Sequence, residues 1–163
     1  MSMIQMFLKE MEQEAQTTRK MLSIVPVEKF DWKPHPKSMT LRSLVTHIAE
    51  IPTWVDTTIN KDELDFATNH YNPVAINSNK ELMDYFERCL AEAKDCLSAA
   101  NDDILSSTWK MRNGDEIYFT ASKGEVLRMC FCQIVHHRAQ LGVFLRLLDI
   151  PIPDKHLSIY DPA

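Results

Sequence analysis

The sequence predicts an all-α protein, a four-helix bundle with a long crossover loop and a small β-hairpin before the last helix. Only 3 of the 163 residues are glycine. Because β-sandwiches and barrels use glycine in their many tight turns, this scarcity favours helices. Four segments repeat apolar residues at steps of three and four positions, as amphipathic helices do. Four such helices in a chain of one-domain length are typical of a bundle.

Start and stop signals bound the first two helices. Ser2 and Gln5 form a capping-box pattern that begins a helix expected over residues 3–24. A proline-rich crossing loop follows. Thr40 is the predicted N-cap of the second helix, and Pro52 lies inside its apolar pattern. A proline removes a backbone donor, so we expect a kink there.

A long connection precedes the third helix. Residues 60–77 are polar and contain a proline, which predicts a crossover loop between two helices. Ser78 and Glu81 form a second capping-box pattern. The clearest amphipathic stripe in the chain follows, and it predicts a helix over about residues 79–100.

A hairpin and the last helix complete the predicted fold. Asn113 and Gly114 lie between two short β-prone runs, and Asn-Gly is the strongest short-range hairpin signal. A two-stranded ribbon is not stable alone, so it must pack on the helices. Ser122 and Glu125 form a third capping-box pattern, which begins a helix expected over about residues 122–149.

Charge and composition exclude several classes of function. The 18 basic and 23 acidic residues give a net charge of −5, and no basic run marks a nucleic-acid surface. No apolar stretch approaches the roughly 20 residues that cross a bilayer, and the acidic N-terminus is unlike a signal peptide. Glycine-rich phosphate-binding loops are absent. We therefore expect neither a nucleic acid nor a membrane as partner.

The cysteines indicate a reducing compartment. The four cysteines lie in apolar helical patterns and form no CxxC pair. We interpret them as reduced core thiols of a cytoplasmic protein.

Two histidines lie where a bundle could use them. His137 interrupts the apolar seam of the last helix, and His47 lies on the flank of the second helix. Each alone is typical of a hydrogen-bonded core histidine. Together they lie at similar depth on helices that could face each other, and bundles build metal sites from such side chains. Gln133 lies one turn before His137 on the same face, whereas His136 points about 100° away around the helix.

Three sequence segments resemble one family. The last helix contains C-Q-I-V-H-H-R-A-Q-L-G-V-F-L-R-L-L-D-I-P-I-P, the second contains M-T-L-R-S-L-V-T-H-I-A-E, and D-W-K-P-H-P-K-S-M-T precedes the second. In this order they resemble the DinB/YfiT-like family. The resemblance implies one domain over residues 1–153 and a C-terminal tail over residues 154–163. The sequence departs from the family pattern at Gln133, where histidine is usual, and at Ala139, where glycine is usual.

The resemblance implies a function as well. It implies a homodimer that binds a divalent metal ion (Ni, Zn, Fe or Mn) through His47, Gln133 and His137. Family members are similar to thiol S-transferases or to a thiol-dependent isomerase, so a small-molecule thiol or electrophile is the implied partner. A bound cation favours the thiolate, which is the nucleophilic form of a thiol. The alternative is a non-catalytic bundle that binds a ligand or a partner and whose metal site has degenerated at Gln133.

Overall fold

The computed structural model describes residues 1–70 and 72–152. Two short 3₁₀ turns, Val27–Lys29 and Asp102–Ser106, connect the regular elements. Those elements are, in chain order, α1 (Met3–Ser23), α2 (Leu41–Glu50), α3 (Thr53–Asn60), β1 (Glu63–Asp65), α4 (Asn79–Ala99), β2 (Thr108–Asn113), β3 (Glu116–Ser122) and α5 (Lys123–Leu147). The fold is mostly helical, as predicted, with five helices and a three-stranded sheet in the described residues. The predicted tail, residues 154–163, lies outside them.

Two of the predicted capping boxes are complete. The Ser2 side chain accepts from the backbone N–H of Gln5 and the Gln5 side chain accepts in return, so α1 begins where the sequence predicts. The same reciprocal pair joins Ser122 and Glu125 at the start of α5. Ser78 caps α4 by accepting from the backbone N–H of Glu81.

Pro52 divides the predicted second helix into α2 and α3. Ile51 and Pro52 keep right-handed helical backbone angles, but α2 ends at Glu50 and α3 begins at Thr53. Proline has no N–H to donate to the preceding turn, so the helix is interrupted there. The predicted kink is confirmed as a break that lies one turn after His47.

The sheet differs from the predicted hairpin in two ways. Residues 60–77 are not one continuous loop, because β1 lies within them and pairs in parallel with β2. The hairpin loop consists of Gly114 and Asp115, since Asn113 pairs with Glu116 across the two strands. Gly114 has a φ of +59°, a backbone angle that favours glycine, so the turn lies one residue later than predicted.

The helices bury one core. α4 and α5 each pack against α1, α2 and α3, and the hairpin packs against α5. Phe30 is buried and the half-buried Trp32 packs edge-on against Phe144, 5.5 Å between ring centroids. Within the described residues no helix is long and apolar enough to cross a membrane.

The cysteines are less uniform than predicted. Cys89 and Cys130 are buried and Cys96 is half-buried, but Cys132 is exposed, so it is not a core thiol. Cys132 follows Arg128 by one helical turn on the outer side of α5, and its sulfur accepts from the Arg128 guanidinium at 2.6 Å. The apolar seam that suggested burial runs beside it, through Cys130 and Ile134.

Candidate functional site

The structure brings His47 and His137 into contact. His47 lies near the end of α2 and His137 lies beyond the middle of α5, and these helices pack together. The two imidazole rings meet edge to face, with 4.7 Å between their centroids and an interplanar angle of 79°. Both side chains are half-buried. The sequence-based expectation that the two helices face each other at this depth agrees with this geometry.

Each imidazole is oriented by an acceptor three residues later on its own helix. His47 Nδ1 lies 2.8 Å from Glu50 Oε1, and His137 Nδ1 lies 2.8 Å from Gln140 Oε1. A carboxylate or amide oxygen accepts, so Nδ1 carries the proton in both rings. In the neutral form of either ring the lone pair is then on Nε2, the atom with which such an oriented histidine binds a metal ion.

Burial also keeps His137 in the form that can act as a ligand. Its pKa is lowered chiefly because burial disfavours the imidazolium, and the neighbouring His47 and His136 add to this effect. The hydrogen bond to Gln140 opposes the shift but does not reverse its direction. His137 is therefore neutral near pH 7, and only a neutral imidazole coordinates a metal ion.

Gln133 and His136 occupy different positions around this pair. Gln133 is exposed on α5 and lines a cavity that His47 also lines. His136 is exposed, and its ring lies 4.9 Å from the ring of His137. Three imidazoles thus lie in a row, in the order His47, His137 and His136, and His136 lies on the outer side of α5.

Glu50 belongs to the same cluster, although it is not in the residue set predicted from the sequence. A carboxylate one turn after His47 is typical of a solvated helix face, yet the Glu50 side chain is only 8% exposed. It binds His47 and faces a cavity, which makes it part of the site. The signal available in the sequence was its spacing: His47 and Glu50 are three residues apart, as are His137 and Gln140.

Tyr85 of α4 lies close to this buried carboxylate. Burial is the main cause that raises the pKa of the Tyr85 phenol to about 12, and the neighbouring Cys89 and Glu50 contribute. The pKa of the Cys89 thiol is raised as well, again mainly by burial. Both groups stay protonated near pH 7, so neither supplies a base or a thiolate to the site.

Two cavities meet at His47 and Trp54, which line both. The polar cavity, about 620 Å³, lies between α2, α3 and the segment after α3. We call it polar because its lining includes the charged side chains of Glu50 and Lys61; its other walls are the polar Ser43, Thr53, Thr57, Asn69 and His70 and the apolar Met39, Leu64 and Phe66. The apolar cavity, about 340 Å³, lies between α3, the hairpin and α5. Its other walls are Ile51, Met111, Phe119, Met129, Cys130 and Gln133.

The donor set at this junction fits a metal ion only in part. Within residues 1–70 and 72–152, no three His, Cys, Asp or Glu side chains form a group that could hold a metal ion. The predicted ligand set of His47, Gln133 and His137 is not such a group, because the side chain of Gln133 is an amide. The two histidines fit better, since two imidazoles that bind one tetrahedral ion at about 2 Å have centroids about 5 Å apart, close to the 4.7 Å between His47 and His137.

Known proteins share this fold. The model of the DinB family matches residues 1–153. A DinB-like protein from Bacillus subtilis has a TM-score of 0.72 and 13% identity, covering 91% of this chain and 96% of that chain. A DinB-like protein from Bacillus cereus has a TM-score of 0.70 and 23% identity, covering 91% of this chain and 94% of that chain.

An enzyme is among the more distant structural relatives. The mycothiol-dependent maleylpyruvate isomerase has a TM-score of 0.61 and 17% identity. The similarity covers 85% of this chain but 60% of the isomerase chain, so the isomerase has a large part without a counterpart here. No curated protein matches this sequence significantly. At these identities the structural matches establish the fold.

Proposed function

This chain belongs to the DinB family, and from that premise we propose that it is a metal-dependent enzyme that transfers a small-molecule thiol to an electrophile. His47, Gln133 and His137 would hold a divalent ion (Ni, Zn, Fe or Mn). The observation that carries the proposal is the imidazole pair, 4.7 Å between centroids, with both Nδ1 atoms hydrogen-bonded to acceptors. That arrangement leaves two Nε2 lone pairs on neighbouring helices as donors.

The chemistry follows from what the site offers. A divalent ion held by these residues would supply the thiolate near neutral pH, because a bound cation lowers the pKa of a thiol. The thiolate sulfur attacks the electrophilic carbon, the S–C bond forms, and the leaving group departs with its bonding electrons while the thiol proton goes to solvent. Glu50 and Gln140 hold the two imidazoles, and the two cavities that share His47 as a wall would position two reactants next to each other.

Metal analysis of untagged protein tests the proposal. After reconstitution with Ni²⁺, Zn²⁺, Fe²⁺ or Mn²⁺ and removal of excess metal, we expect one bound ion per chain by mass spectrometry of the elements. His47→Ala and His137→Ala should each lose it. His136→Ala is the matched control, because His136 adjoins His137 on the same helix but lies outside the proposed set. No bound ion in the wild type, or loss of the ion in His136→Ala alone, would contradict the ligand assignment.

The second candidate is a non-catalytic bundle that binds a ligand or a partner. The observation that favours it is Gln133, whose neutral amide is a weaker donor than imidazole and is exposed at the cavity. In that case the wild type binds no metal ion and shows no thiol transfer, and a substitution that restores histidine at position 133 recovers metal binding.

The remaining parts of the proposal concern assembly and location. We propose a four-helix arrangement in which α2 and α3 act as one interrupted helix. A homodimer and a cytoplasmic location, where thiols stay reduced, complete the proposal. Sedimentation velocity of the full chain measures the oligomeric state directly, and a monomer at micromolar concentration would contradict the dimer.

A further inference from the structure

We infer that the apolar cavity binds the uncharged hydrocarbon part of a small organic ligand, an aryl or branched alkyl group whose functional end reaches His47. The inference deepens the proposed function, because it assigns the electrophile to one cavity and the thiol to the other. Its first basis is size: about 340 Å³ lies within the range of small-molecule pockets, which begins at about 300 Å³.

The walls of this cavity determine which ligands it can accept. Its described lining contains no Lys, Arg, Asp or Glu side chain, whereas the polar cavity contains Glu50 and Lys61. A charged group that enters the apolar cavity would lose its hydration without an opposite charge to replace it. The two polar side chains of the lining, His47 and Gln133, lie toward the proposed metal site. The cavity therefore favours a ligand with an apolar body and a single polar end.

The hairpin wall is fixed by its register. Met111 and Phe119 are paired across β2 and β3, so both side chains lie on the same face of the hairpin. Trp109, two residues before Met111, is fully buried and its ring lies 6.0 Å from the ring of Phe119. This packing supports the Phe119 ring from one side. Met111 and Met129 face the cavity from β2 and α5, and their flexible thioethers let it adapt to ligands of different shape.

Cys130 makes the wall compatible with a reactive ligand. It lines the cavity, but burial raises its pKa to about 12. Near pH 7 it remains a thiol, which is a poor nucleophile. An electrophile bound there would therefore be preserved for a thiolate that arrives from the polar cavity, on the other side of His47 and Trp54.

Fluorine NMR of para-fluorobenzyl alcohol tests the inference on the metal-free full chain. We expect saturable binding to the wild type. Met129→Trp and Met111→Trp fill the cavity from α5 and from the hairpin, and each should weaken binding by about tenfold. Met39→Trp places the same ring in the polar cavity and should leave the affinity within about twofold. Thermal unfolding of each variant verifies that it is folded, and the two cavity-filling variants lie on different elements.

The outcomes separate this inference from the metal proposal. Binding that Met129→Trp and Met111→Trp weaken supports the apolar site whether or not the protein holds a metal ion. Absence of binding by the wild type, or equal affinities in all folded variants, overturns the inference even if metal binds to His47 and His137. A loss of binding caused by Met39→Trp alone would assign the aryl group to the polar cavity and overturn it as well.

Discussion

α5 carries two consecutive polar residues, His137 and Arg138, into two different helix interfaces. Arg138 faces α1, where its guanidinium pairs with the Glu14 carboxylate and lies 3.2 Å from the Thr18 hydroxyl. His137 faces α2, where it meets the ring of His47. On the α1 side a cation meets an anion and a hydroxyl. On the α2 side two imidazole rings meet, and His47 lines a cavity on each of two sides.

The difference separates a stabilising polar contact from the contact that we propose to be functional. The Arg138 side chain is 13% exposed and its pairing compensates for the cost of its burial. The two rings of the His47–His137 pair bring no opposite charges together: burial and the second ring both lower the pKa of His137, and each ring has its hydrogen-bond acceptor, Glu50 or Gln140, on its own helix. Groups held close together at a cost, beside cavities, are typical of functional sites. We therefore expect substitutions at the first interface to change stability and those at the second to change binding.

The largest expected effect is on stability. Arg138→Ala leaves the Glu14 carboxylate without its guanidinium, and we expect the free energy of unfolding to fall by about 2–3 kcal/mol. Urea denaturation measures it. Arg128→Ala, an exposed arginine on the same helix, should change it by less than about 0.5 kcal/mol. Equal losses in the two variants would show that the α1 interface does not depend on this ion pair.

The next effect is on metal affinity. Glu50→Ala removes the acceptor that orients His47, and loss of such a partner weakens metal binding by about 10- to 100-fold. Glu50→Gln keeps an acceptor oxygen at the same place and should retain most of the affinity. Competition with a chromophoric chelator measures both variants. If Glu50→Ala binds metal as tightly as the wild type, Glu50 does not orient a ligand.

The helix boundaries were predictable because local chemistry sets them. The reciprocal hydrogen bonds of Ser2 with Gln5 and of Ser122 with Glu125 depend on residues three positions apart, which the sequence displays directly. The break at Pro52 follows from a missing donor in the same way. By contrast, β1 has three residues, too few for an alternating pattern, and its partner β2 lies more than 40 positions later.

The site was predictable in its histidines but not in its surroundings. His137 stands out because it interrupts an apolar seam, and His47 because it lies on the flank of another. The burial of Glu50 depends on how α2, α4 and the segment after α3 come together, which is tertiary information. His70, which lies in the predicted crossover loop over residues 60–77, is exposed but also lines the polar cavity for the same reason.

The third expected effect concerns the residue that departs from the family pattern. Gln133→His replaces a neutral amide by imidazole, a stronger donor for Ni²⁺ and Zn²⁺, and should tighten metal binding by about tenfold. Val135→His is the matched control, since it adds an exposed histidine to α5 away from the cavity lining. If the wild type binds as tightly as Gln133→His, the amide is not what limits affinity at the α2 interface.

The smallest expected effect concerns Asp65 in the sheet. Asp65 is a buried charged residue whose polar partners, like those of Arg138, should stabilise the fold. Its carboxylate accepts from the backbone N–H groups of Ala67 and Gly114, both at 2.9 Å, and it pairs with Arg112 at 3.2 Å. These contacts join the segment that lines the polar cavity to the hairpin turn. The hydrogen bond from Gly114 is the largest cause that lowers the pKa of Asp65.

A lowered pKa in the folded state gives the pH dependence a definite sign. Below the ordinary value of 3.8 the unfolded chain binds the proton more readily than the folded one, so stability falls as the pH falls through the folded-state pKa. Asp65→Asn removes this contribution, and its stability should therefore depend less on pH in that acidic window. Asp115→Asn, an exposed carboxylate in the same turn, should keep the wild-type dependence. Urea midpoints of the wild type and both variants, measured across this pH window, test the prediction. If the midpoints of the wild type and Asp65→Asn change with pH in the same way, the Asp65 contacts do not stabilise the fold as the Arg138 contacts do.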